Sequence, residues 1–275
     1  MPSVWSYEGM RVVVSGGGGA GMGAATVTEL ADRGAEIHVM DLKEPPVDVA
    51  SYQSVDLKDP QAAVAAIDTI GDPIHALFNC AGLPGPPFSD LDTMIVNFVA
   101  MRHLAELCAN RMTQGGAIAS ISSTAGIGYL QNIAKWMPLI ATDGFGEAKQ
   151  WCQDHPDEIA TGYAPSKEAI IVWTMHSALE FANRGIRVNC ISPGPTDTPM
   201  MPAFEDFAGK ELIDTFAQGA GRRSRPEEQA YPLAFLNSRA ASYVSGENFI
   251  TDGGTVAALM TGNLSMSFDQ QDNLG

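Results

Sequence analysis

The chain has little of what marks several large protein classes. Cysteine occurs four times in 275 residues, at Cys80, Cys108, Cys152 and Cys190. None forms a CxxC pair, so neither a disulfide framework nor a zinc site is signalled. Basic residues are scarce: 16 Lys plus Arg stand against 32 Asp plus Glu, and the formal charge of -16 repels nucleic-acid phosphates and anionic lipid surfaces. No stretch reaches the roughly 18 consecutive apolar residues of a membrane span. Met1 to Gly9 lacks a basic region followed by an apolar run. The expectation is a cytoplasmic protein with neither nucleic acid nor membrane as partner. No repeat, low-complexity tract or Pro/Gly-rich linker divides the chain, so one domain over 1–275 is expected.

What is present suits a packed interior: 45% of residues are hydrophobic and 17% charged. Short apolar runs at Met10 to Ser15, Ile37 to Met40, Ser54 to Leu57, Ala76 to Asn79, Ala117 to Ser122 and Ile186 to Ile191 alternate with helical patterns. That alternation predicts an α/β fold, a doubly wound parallel sheet of Rossmann-like type with helices on both faces. Ala24, Val27, Leu30 and Ala31 repeat at helical spacing, and Gly34 supplies a stop, which predicts a first helix from Gly21 to Gly34.

Between the first strand and that helix runs Ser15-Gly16-Gly17-Gly18-Gly19-Ala20-Gly21-Met22-Gly23. Glycines there let the backbone turn tightly and approach a pyrophosphate, whose charge is favoured by free N–H groups at the helix start. Asp41 closes the second strand 18 residues beyond Gly23, where a carboxylate can accept hydrogen bonds from the adenosine ribose hydroxyls. The expected cofactor is NAD, because a 2′-phosphate would meet that carboxylate with only Lys43 nearby to neutralise it.

Further along stand Asn79-Cys80-Ala81-Gly82, Val96-Asn97, Ile121-Ser122-Ser123-Thr124-Ala125-Gly126, Tyr163-Ala164-Pro165-Ser166-Lys167, Ser192-Pro193-Gly194-Pro195-Thr196-Asp197-Thr198 and Asp252-Gly253-Gly254. With the glycine turn, these pieces resemble the short-chain dehydrogenase/reductase family, single-domain branch, over roughly Arg11 to Gly254. The resemblance implies a catalytic tetrad of Asn97, Ser123, Tyr163 and Lys167, and no metal. Tyr163 and Lys167 are one helical turn apart, so an ammonium can stabilise a phenolate and draw its pKa down from about 10. The phenolate would accept an alcohol's proton as hydride leaves, while Ser123 hydrogen-bonds the developing carbonyl oxygen. Ser122 is the alternative hydroxyl, since the two alternate faces of the strand end. The resemblance further implies that Asn97 anchors a water relaying protons to Lys167, and that Lys167 also holds the nicotinamide ribose. Cofactor contacts are implied for Gly17, Gly21, Met22, Asp56, Leu57, Asn79, Ala81, Gly82, Pro193, Gly194, Thr196 and Thr198.

The chain departs from the pattern twice. Counting back from Gly21 and Gly23 aligns Gly17 with the first glycine and displaces Ser15: either the loop holds an extra glycine or Ser15 caps it from one position earlier. Tyr163 follows Ser123 by 40 positions where about a dozen is usual, leaving an insertion of roughly 27 residues over about 129–160. It is apolar enough to predict helices over the active-site mouth, and such an insertion resembles bacterial 3α-hydroxysteroid dehydrogenase/carbonyl reductases. Gly85, Pro86, Pro87, Leu130, Trp136, Met200, Met201, Phe204 and Phe207 are then expected to line an apolar pocket for a secondary alcohol or ketone of alicyclic or steroid-like character. A lid over about 196–222, a C-terminal tail over 255–275 packing on a neighbour or fraying, and a homo-oligomer (dimer or tetramer) complete the expectation. The competing readings are a non-catalytic NAD-binding redox sensor, a reductase of smaller carbonyl compounds, and a sugar-nucleotide epimerase. The last expects more chain after the tyrosine than the 112 residues present.

Overall fold

In the computed structural model, residues 3–264 are described. Seven parallel strands lie in the order β3-β2-β1-β4-β5-β6-β7. They are β1 (Arg11–Ser15), β2 (Glu36–Asp41), β3 (Ser51–Ser54), β4 (Ile74–Asn79), β5 (Met112–Ile121), β6 (Arg187–Pro193) and β7 (Asn248–Thr251). The helices are α1 (Met22–Asp32), α2 (Pro60–Ile70), α3 (Asp90–Met94), α4 (Met101–Ala109), α5 (Tyr129–Ile140), α6 (Gly144–Asp154), α7 (Tyr163–Asn183), α8 (Met201–Ala208), α9 (Lys210–Thr215), α10 (Pro226–Asn237) and α11 (Thr255–Met260). A π-helical stretch, Ile95–Ala100, joins α3 to α4.

Central strands such as Val12-Val13-Val14 are buried on both faces because helices cover both. One apolar cluster gathers residues of α2, α4 and α7; the other gathers α1 and α10. Chain order reverses direction at the β1–β4 boundary, and a parallel sheet opens its ligand crevice beyond the carboxyl ends of the strands at such a point. The glycine turn, Asn79-Cys80-Ala81-Gly82 and Ser123 all follow those ends.

Three expectations are corrected. β3 lies three residues earlier than expected: Ser51-Tyr52-Gln53-Ser54 carries no apolar signal, whereas buried Val55 and Leu57 just beyond it drew the boundary downstream. β7 was not foreseen, because a four-residue edge strand with Phe249 and Ile250 exposed has no readable period. The insertion is helical, as α5 and α6, and most of it packs into the core, with its start, Tyr129 and Leu130, beside Ser123. Trp136, Leu139, Ala148 and Cys152 are fully buried in the cluster shared with α4 and α7. The buried Arg102 of α4 fixes the α5–α6 corner by donating to the carbonyls of Leu139, Ile140 and Gly144 and to Thr142 Oγ1.

The α8–α9 pair is held differently. Arg223 pairs with Glu205 on α8 and Asp214 on α9, both at 2.6 Å. Of the expected tail, 255–260 form α11, and the part beyond 264 lies outside the described residues. Among the described residues no helix is long and apolar enough to cross a membrane, and no His/Cys/Asp/Glu group could hold a metal ion.

Candidate active site

Tyr163 stands at the first turn of α7, set there by a strained approach. Thr161 has φ 72 and Gly162 φ 59; the first is a conformation that a β-branched residue adopts only when its surroundings impose it. A Cβ on Gly162 would come within 2.9 Å of Asp90 Cα and Thr93 Cβ, so only glycine lets α7 begin against α3. One turn on, the buried Lys167 places its Nζ 5.3 Å from the Tyr163 ring centroid and donates to the Ile121 carbonyl at 3.0 Å. The tyrosine and lysine thus share a helix face at the end of β5.

Of the two serines, Ser122 is buried and donates to the Lys167 carbonyl at 2.8 Å. Ser123 is partly exposed, its hydroxyl accepting from Ala125 N at 3.1 Å, which leaves it as the hydroxyl able to meet a substrate. Asn97 lies within the π-helical stretch, a distortion often found where a helix serves a site. Its side chain accepts from Leu83 N at 2.7 Å and donates to Leu83 O and to Ser166 Oγ, both at 3.0 Å. Ser166 in turn donates to the Tyr163 carbonyl at 2.6 Å. Asn97 therefore ties the loop after β4 to the first turn of α7 through both of its amide hydrogens.

Burial pushes the Tyr163 phenol up to about 12, and Ser123 only partly opposes this. Burial also pulls Lys167 down to about 8. Without cofactor, desolvation outweighs the opposing influence of Ser123, so the phenol holds its proton at neutral pH.

The glycine turn forms a cradle. A Cβ on Gly16 would stand 2.3 Å from Ala81 N, and one on Gly23 would stand 1.9 Å from Gly16 O. α1 begins at Gly21 with no side-chain cap and no acidic residue in its first turn, which leaves its N–H groups free for an anion. The turn leans on the segment after β2: Gly18 N donates to Asp41 Oδ2 at 2.8 Å, Lys43 N to Asp41 Oδ1 at 2.9 Å, and Gly19 N to Glu44 O at 2.8 Å. Asp41 is thereby fixed at the β2 end where an adenosine ribose would lie. These residues fit a dinucleotide.

The remaining expected contacts divide. Gly17 packs against Val27, and Met22 opens α1. Ala81 and Gly82 face the crevice, and a Cβ on Gly82 would lie 3.9 Å from Lys167 Nζ. Asp56 is exposed and Leu57 buried just past β3. Pro193 ends β6, and Gly194 lies close against Asp252. Thr198 reaches Gly21, its Cβ 3.9 Å from where a glycine Cβ would stand. Two side chains are turned inward instead: Asn79 bonds Ser15 and Ser120 across the strand ends, and Thr196 bonds Gly194 O and Ser224. Sequence reasoning missed the lattice that continues from Thr196 through Ser224 and Gln229 to Thr251. No motif announces it, since its members come together only in the fold.

On the substrate side, Phe204 of α8 meets the Tyr163 ring edge-on at 4.8 Å between centroids. Gly85 lies against Tyr163, and Met201 is buried beneath α8. Leu130 is exposed on a small crevice beside Ser123 that Ile127, Tyr129, Val256 and Met260 also line. Trp136, expected in this wall, is buried against α7, and Phe207 points to solvent. A cavity of about 210 Å³ opens at the base of α9 and α10, not at the phenol, against which Phe204 of α8 packs.

Known proteins show the same pattern. The short chain dehydrogenase family matches residues 11–136, and the enoyl-(acyl carrier protein) reductase family matches residues 156–256; the interval between them lies within α5 and α6. Coniferyl-alcohol dehydrogenase of a Pseudomonas species is 31% identical over 89% of this chain and 95% of its own. The 3-alpha-hydroxysteroid dehydrogenase/carbonyl reductase of Comamonas testosteroni is 31% identical over 91% and 98%. Among solved structures, the 3-alpha-hydroxysteroid dehydrogenase from Pseudomonas sp. B-0831, complexed with NADH, superposes with a TM-score of 0.76 at 27% identity, covering 92% of this chain and 98% of that one.

Proposed function

The chain belongs to the short-chain dehydrogenase/reductase family, an oxidoreductase family working with a nicotinamide cofactor, and from that premise we propose that it exchanges a hydride between NAD and a secondary alcohol or ketone, with Tyr163 as the proton-transfer group. The observation that carries this reading is the convergence of Tyr163, Lys167 and the partly exposed Ser123 at the end of β5, beside the glycine cradle. A nicotinamide cofactor, held by the glycine cradle and Asp41, would supply the hydride acceptor or donor. Lys167, raised against the ring and fixed by Ile121 O, steadies the phenolate once the proton leaves. Ser123 hydrogen-bonds the substrate oxygen, and Asn97 holds the loop and helix in register through Leu83 and Ser166.

NAD is preferred over NADP because Asp41 stands fixed where a 2′-phosphate would fall, with Lys43 the nearest basic side chain in sequence. The substrate is a ring-bearing, largely apolar alcohol. Support comes from Phe204 over the phenol, from Leu130 and Met260 beside Ser123, and from relatives named for coniferyl alcohol and hydroxysteroids. The α8–α9 pair serves as the lid of a single catalytic domain. Exposed Phe249 and Ile250 on the β7 edge, with Tyr243, Met175 and Leu179, support assembly as a homo-oligomer.

The test is steady-state formation of reduced cofactor from a hydroxysteroid, cyclohexanol, a benzylic or allylic aromatic alcohol and a polyol, with NAD and NADP side by side. Turnover of the ring-bearing alcohols with NAD is expected. Preference for the polyol would sink the substrate reading, and preference for NADP would sink the role of Asp41.

A further inference from the structure

Glu168 follows Lys167 directly on α7, is buried, and pairs with no cation among the described residues. A carboxylate buried without a cation is costly unless donors converge on it. Here they do. Asn132 Nδ2 donates to its two oxygens at 3.0 and 2.9 Å, and Trp136 Nε1 donates to Oε2 at 2.8 Å. Both donors lie on one face of α5, a turn apart. The carboxylate also fills the space above Gly128, where a Cβ would stand 2.6 Å from Oε1.

The same turn of α7 grips the chain before Gly128. Ser122 Oγ donates to the Lys167 carbonyl at 2.8 Å, and Gly126 presses so closely that a Cβ there would lie 2.8 Å from Lys167 C and 3.0 Å from Glu168 N. Ser123 therefore sits on a short bridge, residues 122–128, with both ends anchored to two consecutive residues of the catalytic helix. The Lys167 carbonyl holds one end. The Glu168 side chain, through Asn132, Trp136 and the space over Gly128, holds the other.

We propose that Glu168 is a positioning residue: an acceptor-only carboxylate that ties the insertion to the catalytic helix and so fixes where Ser123 stands relative to Tyr163. The insertion thereby gains a part in catalysis. This inference rests on the tetrad reading above. A glutamine at this position would turn an N–H group toward the Asn132 or Trp136 donors, because an amide offers one acceptor oxygen where the carboxylate offers two.

The test compares the wild-type chain with Glu168→Gln and with the double variant Glu168→Gln/Asn132→Asp, which returns an acceptor on α5 to face the new amide. Three readouts apply: hydrogen–deuterium exchange over residues 122–131 without cofactor, NADH affinity by fluorescence, and kcat and KM with an alcohol that the wild type oxidises. The single variant is expected to exchange faster over 122–131, to keep NADH affinity within about twofold, and to lose about tenfold in kcat, since small displacements of reacting groups carry such penalties. The double variant should recover both exchange and kcat. Wild-type exchange and kcat in Glu168→Gln would overturn the proposal, as would equal losses in kcat and NADH affinity, or no recovery in a folded double variant. Should Glu168→Gln not fold, Asn132→Ala, which removes one donor and keeps the carboxylate, decides by the same readouts with smaller changes. A wild-type chain that oxidises no alcohol would defeat the proposed function, while the exchange comparison would still judge Glu168 on its own.

Discussion

Two helical pairs flank the candidate catalytic tyrosine, and both looked like apolar cover in the sequence, yet the fold uses them in opposite ways. The α5–α6 pair is welded inward: Trp136, Leu139 and Cys152 are fully buried, Arg102 secures the corner between the helices, and Glu168 holds the middle of α5. The α8–α9 pair buries one large side chain, Met201, and is otherwise fastened by Arg223 to carboxylates at the surface. A segment anchored by close packing shares the stability of the core, whereas one fastened by partly exposed ion pairs can open at little cost. The insertion is therefore scaffold, and α8–α9 is the part suited to admit and release substrate.

Substitutions should separate the two pairs. Trp136→Ala, which empties a fully buried indole site, is expected to cost about 3–5 kcal/mol in denaturant unfolding; an unchanged midpoint would break the contrast. The buried side should also register pH. Lys167 is held near 8 against 10.5 unfolded, so below pH 8 both states carry the proton and its burial penalty is constant. Between pH 8 and about 9 the unfolded lysine alone stays protonated, so stability should rise with pH by about 1 kcal/mol, and this rise should vanish in Lys167→Met; above pH 9 the four cysteines, whose thiols burial pushes up to about 12, turn the trend downward. Above pH 10, Tyr163, held near 12, works in the opposite direction.

On the α8–α9 side, Phe204→Ala should leave the unfolding midpoint within about 1 kcal/mol while changing KM for an apolar alcohol by about tenfold, since it removes a contact at the phenol and not a core residue. The smallest effect belongs to Arg223→Met. Its ion pairs lie near the surface and contribute about 1 kcal/mol or less. Faster proteolytic cleavage within 201–215, with none gained in 129–154, would sharpen the contrast.

The strand-end motifs were legible because their chemistry is local. A glycine cradle, a carboxylate closing β2 and a tyrosine one turn before a lysine each carry meaning within a few residues. What was not legible depends on contacts distant in sequence. Nothing near Trp136 says whether its indole faces a pocket or the Glu168 carboxylate. The Thr196–Ser224–Gln229–Thr251 lattice draws on separate segments. The effect of burial on Tyr163 was hidden for the same reason: spacing reveals the neighbouring ammonium, while burial, which raises the phenol, is a property of the whole fold. The edge strand β7, with two of its four residues exposed, offered no alternation to read.

The most direct measurement pairs two assays on Tyr163→Phe: alcohol-dependent formation of NADH, and NADH binding followed by fluorescence. Loss of nearly all turnover with cofactor affinity kept is the predicted result. Turnover matching the wild type would show that the proton leaves by another group, and would contradict the assignment of this site.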